Sequence, residues 1–71
     1  MDTAERIKIR LESAGWAPAE LATEITRRGV PVTESAVRAW LSGRNEPKTA
    51  AALAMAAAFG TTVEEMFGAA V

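Results

Sequence analysis

Between Thr33 and Lys48 the sequence gathers side chains suited to holding a polyanion: Arg38, Arg44, Asn45 and Lys48, the hydroxyls of Thr33, Ser35 and Ser42, and one carboxylate, Glu34. Guanidinium, ammonium and amide groups donate to phosphate oxygens, which positions a protein on a duplex. Arginine, serine and glutamate can also bond base edges, which is how a sequence is read. The chemistry indicated is recognition. There is no histidine and no cysteine, so the commonest general base and metal ligand is missing, and thiolate metal sites and disulfides are excluded. No nucleophile, base or metal set is assembled. Neither enzymatic activity nor a cofactor nor a metal is expected.

These side chains need an element to carry them. Thr33 is suited to cap a helix beginning at Glu34, because its hydroxyl can accept a backbone N–H that the first turn leaves unpaired. Val37, Trp40 and Leu41 fall at i, i+3 and i+4, on one apolar face. Glu34, Ser35, Arg38 and Ser42 lie mainly opposite, and Gly43 can close the helix in the left-handed conformation. A helix over about 34–42 is too short to stand alone. It must dock on others through its apolar face, leaving the polar face free.

The chain before it supplies two such supports. Asp2 and Glu5 have the spacing of a capping box. The first helix then runs to about Ala14, with Ala4, Ile7, Leu11 and Ala14 as its buried stripe. Ile9 falls off that stripe. Gly15 ends the helix, and Trp16 folds over the junction as core. Pro18 suits the first position of a second helix, since its missing N–H would be unpaired there anyway. Leu21, Ala22 and Ile25 face inward, and this helix can continue through Arg27 or Arg28 to Gly29. Val30, Pro31 and Val32 make an extended connection, because Pro31 has no donor and restricts Val30. Helix, connection, short helix is the outline of a helix-turn-helix unit.

Beyond Lys48, alanine-rich Thr49 to Phe59 predicts a fourth helix, with Leu53, Met55, Ala56 and Phe59 inward. Gly60 ends it. Thr62 and Glu65 form a second capping-box pair, opening a last short helix with Val63, Met66 and Phe67 apolar. Gly68 to Val71 is a frayed tail. The expected fold class is all-α, five helices in a single domain spanning 1–71, with no sheet.

Seventy-one residues leave room for one domain near the small end of what folds unaided. No apolar run approaches a membrane span, and the opening residues do not form a signal peptide. The cytoplasm is the expected compartment. Net charge is −1, yet its distribution is uneven. Arg27 to Lys48 holds five basic residues against two acidic, a balance of +3, and the remainder three against seven, a balance of −4. Such polarity can present one positive face to a polyanion.

In order and spacing, several residues resemble the Cro/phage-repressor type of helix-turn-helix domain, also called the XRE family. They are Gly15-Trp16, Glu20-Leu21-Ala22, Val37, Trp40, Gly43, Pro47, Leu53 with Ala56, and the run Gly60 to Phe67. The resemblance covers Ile7 to Phe67, nearly the whole chain. It implies a transcription regulator of double-stranded DNA, usually dimeric, with the third helix in the major groove. Glu34, Ser35 and Arg38 then match base-facing positions, and Thr33, Ser42, Arg44, Asn45 and Lys48 match backbone contacts. Two departures stand out. Pro18 replaces the glutamine that in many relatives braces the DNA backbone, and the stretch from Ala22 to Trp40 is about five residues longer than the common pattern. The extra length either extends helix two, carrying Arg27 and Arg28 toward the DNA backbone, or changes the angle between helices.

For self-association, Val63, Met66, Phe67 and Val71 on the last helix and tail offer apolar area beyond a monomer's needs, consistent with a homodimer. An alternative class is a protein-interaction module, adaptor or antitoxin-like, that keeps the fold without strong DNA affinity. Net acidity, Pro18 and Glu34 favour it. Random duplex binding at two salt concentrations separates the two.

Overall fold

In the computed structural model, described over residues 2–68, the chain forms five helices: α1 Thr3–Ala14, α2 Pro18–Arg27, α3 Glu34–Leu41, α4 Thr49–Ala58 and α5 Val63–Phe67. No strand occurs among the described residues. Capping sets the starts. Asp2 Oδ1 accepts from the Glu5 N–H at 2.9 Å, Thr33 Oγ1 from Ala36 at 3.1 Å, and Thr62 Oγ1 from Glu65 at 3.1 Å. Each satisfies a donor that the first turn cannot pair internally. At α2 the cap residue is Ala17, which has no side-chain acceptor. There the Glu20 carboxylate reaches back instead and accepts from the Ala17 N–H at 2.8 Å.

The core is one cluster to which all five helices contribute, built around Ile7, Leu11, Leu21, Ile25, Val37, Trp40, Met55 and Met66. In packing order, α3 lies against α2 and α1, α4 against α2, and α5 spans α1 and α4. Among the described residues no side-chain polar atom is buried without a partner. Trp16 is half-buried and stacks on Phe59, ring centroids 5.0 Å apart and planes 28° from parallel. That contact ties the α1–α2 corner to the end of α4.

Three expectations about burial are corrected. Leu53 is 57 % exposed, because the inward side of α4 is formed by Ala51, Ala54, Met55 and Ala56. Ala14 is exposed at the last turn of α1 and Ala4 is only half-buried, so the stripe reduces to Ile7 and Leu11. Met66, expected at a surface for self-association, is 2 % exposed and belongs to the core. A five-residue helix has one inward position per turn, and Met66 occupies it. Val71 lies outside the described residues.

Candidate nucleic-acid interface

The longer stretch between the second and third helices is taken up in part by α2 itself, which continues to Arg27 as expected. A six-residue connection from Arg28 to Thr33 follows. The final turn of α2 holds that connection in place. Arg28, Gly29 and Val30 donate backbone bonds to the Ile25 and Thr26 carbonyls, with Gly29 at φ 95° where a side chain would be strained. The Thr26 hydroxyl then serves both polar groups of one residue: it accepts from the Val32 N–H and donates to the Val32 carbonyl, each at 3.1 Å. Val32 would otherwise leave two backbone groups reliant on water. Thr26 was not singled out in the sequence; a threonine late in a helix carries no local signal of a partner six residues on.

On α3, Val37 is fully buried and Trp40 is 6 % exposed. Leu41 is half-buried, while Glu34, Ser35 and Arg38 are exposed. The Arg38 side chain keeps 61 % of its surface and lies along the helix to Glu34. Its Nε–H donates to Glu34 Oε2 at 2.7 Å, and Nη2 stands 2.6 Å from the same oxygen in an ion pair. Ala39, which the apolar spacing did not mark, is buried because the following loop folds back: the Arg44 and Asn45 N–H groups both donate to its carbonyl. The same carbonyl accepts from the Ser42 hydroxyl at 3.0 Å. Ser42 therefore commits its proton to the helix end, and a phosphate contact from it requires that bond to break. Thr33 differs. Its oxygen only accepts, which leaves its proton free to donate outward.

The rim residues divide by charge environment. Glu24 forks to Arg27 Nη1 at 3.1 Å and Arg28 Nη1 at 2.9 Å, so this trio carries one net positive charge. The Arg28 hydrogen bond, reinforced by Arg27, holds the Glu24 carboxyl below its ordinary value of 4.5. Among the described residues Arg44 and Lys48 form no ion pair. Arg27 and Glu34 line one shallow groove between α2 and α3; Thr33, Asn45 and Lys48 line another beside α3 with Ala36 and Trp40. Arg27 thus borders one groove against α3, and Thr33, Asn45 and Lys48 border a separate one. The described residues contain no cluster of acidic, histidine or cysteine side chains able to hold a metal, and no helix long and apolar enough to cross a membrane.

A short helix docked by its apolar side on a preceding helix, its polar side open and flanked by cations, defines a helix-turn-helix DNA-binding domain. The helix-turn-helix family profile matches residues 7–66, and the chain belongs to that family, in its Cro/phage-repressor branch. Its class is DNA-binding transcription regulation. Searches of curated proteins and of solved structures gave no match.

Proposed function

We propose that the protein is a sequence-specific regulator of double-stranded DNA that occupies an operator and thereby excludes or recruits transcription machinery. In this reading α3 enters the major groove, with Glu34, Ser35 and Arg38 toward base edges. Thr33, Arg44, Asn45, Lys48, Arg27 and Arg28 face the phosphates, and Ser42 serves chiefly to close α3. The observation that carries the reading is the exposed Arg38 on a helix whose opposite side is locked into the core, next to a loop whose Arg44 and Lys48 form no ion pair among the described residues. A rigid support is what lets a few contacts discriminate between sequences.

If two copies bind together, their reading helices sit about one DNA turn apart, roughly 34 Å, on a nearly palindromic site. With Met66 in the core, the pairing surface we assign is Val63 and Phe67, joined by exposed Leu53, which line one open groove.

The test is binding to random duplex at 50 and 200 mM salt, followed by selection of bound sequences from a random pool. The reading expects affinity that falls steeply with salt and an enriched motif. One observation favours the competing interaction-module reading: three of the five arginines and lysines from Arg27 to Lys48 are already paired within the chain. Absence of duplex binding at both salts would decide for it.

A further inference from the structure

The pairing of Glu34 with Arg38 has a particular stereochemistry. Arg38 donates its Nε–H to Glu34 Oε2, and its Nη2 sits in ion-pair contact with the same oxygen, so this edge of the guanidinium faces the carboxylate. A guanidinium has five N–H donors. Four therefore remain, and the two on its outer edge, one from Nη1 and one from Nη2, form the fork that matches guanine O6 and N7. Glu34 Oε1 has no partner among the described residues, and 45 % of the Glu34 side chain is exposed. Side by side, the pair offers two donors and one acceptor.

The major-groove edge of a G·C pair runs N7 acceptor, O6 acceptor, N4 donor. We propose that Glu34 and Arg38 act as one composite reader of a single G·C base pair: the Arg38 outer edge donates to guanine and Glu34 Oε1 accepts from the cytosine amino group opposite. An A·T pair presents acceptor, donor, acceptor, so two of the three contacts meet like with like. A reversed C·G pair presents the same groups in the wrong order. The ion pair has a second effect in this arrangement. It holds Arg38 in one orientation before the duplex arrives, which lowers the ordering cost of binding, and it cancels the repulsion a lone carboxylate would feel beside phosphates.

This inference rests on the reading that α3 enters the major groove, and the experiment separates the two. Full-length wild type, Glu34→Ala, Arg38→Ala and the double variant are each passed through selection from a random duplex pool. Affinities are then measured for the selected site and for the same site with single base-pair changes; circular dichroism checks that these exposed substitutions leave the fold intact. The wild-type site should contain a G·C pair whose change to A·T weakens binding about tenfold or more. Glu34→Ala should reduce that discrimination several-fold while raising affinity for random duplex. Arg38→Ala should abolish the discrimination, and adding Glu34→Ala should cost nothing further. No enriched motif for the wild type defeats the underlying reading. An enriched motif whose base preferences are the same in Glu34→Ala as in wild type overturns the composite reader alone, leaving Glu34 as a simple restraint on Arg38.

Discussion

Arg44 and Lys48 differ from the other cations of the proposed interface in having no internal counter-ion among the described residues. Their charge is available to displace condensed counter-ions, so each should account for about one unit of the slope of log affinity against log salt. Arg44→Ala and Lys48→Ala are expected to weaken binding almost equally to every sequence and to reduce that slope by about 1 each. Arg38→Ala is expected to leave the slope for random duplex nearly unchanged. Titrations of one labelled duplex at four salt concentrations check both statements. Glu24 gives a pH dependence. Its carboxyl is lowered from the ordinary 4.5 by Arg28 and Arg27, so the folded state holds its proton less readily than the unfolded state. Its contribution to stability is present above the unfolded value and disappears as pH falls through the lower folded value. Thermal melts between about pH 5 and pH 3 should decline less in Glu24→Gln than in wild type. The effect is small, since the group is solvated.

The connection between α2 and α3 shows what a single hydroxyl can hold. Thr26→Val keeps the shape of the side chain and removes both bonds to Val32. The expected cost is about 1 kcal/mol for these solvated groups, or about 4–8 °C in melting temperature for a domain of this size. Amide exchange should quicken at Val32 more than within α1. Most of the element pattern was legible beforehand, because caps are local: Asp2, Thr33 and Thr62 bond residues three positions on, within one reading window. Gly15, positive in φ at 72°, likewise announced the end of α1. What was not legible depended on the third dimension. Thr26 meets a residue beyond a loop. Helix α4 has seven alanines in ten residues, so its pattern carries almost no phase, and Leu53 was placed inward although Ala54 and Ala51 lie there. At the candidate interface the exposed set on α3 followed from the Val37, Trp40 and Leu41 spacing. The pairing of Arg38 with Glu34 has the i,i+4 spacing such pairs use, yet residue types alone do not say whether the arginine points along the helix or away from it.

At the scale of the molecule, a body of 27 × 22 × 22 Å has one shared core and no disulfide to support it. Stability of a chain this short is on the order of 4–10 kcal/mol, and truncating a fully buried residue costs about 2–5 kcal/mol. Met55 is fully buried where α4 meets the rest of the core. Met55→Ala should therefore remove about half of the total, read as a fall in the denaturant midpoint with unchanged slope, and should weaken DNA binding only through the unfolded fraction. Leu53→Glu belongs to the other category. With 57 % of Leu53 exposed, the substitution should leave the melting temperature within a few degrees and, if copies pair through Val63 and Phe67, shift sedimentation equilibrium toward single chains at every concentration tested.

The chain has two tryptophans, and the fold gives them unlike surroundings: Trp40 is enclosed beneath α3, while Trp16 stacks half-open on Phe59 at the α1–α2 corner. Their intrinsic emission should consequently give two signals in one spectrum, a blue component from the indole under α3 and a redder one quenchable by iodide or acrylamide. Duplex binding that leaves the scaffold rigid should spare the quenchable component, whereas loosening of the corner would brighten and expose it first, so the molecule carries an unlabelled optical readout of which of its parts has moved.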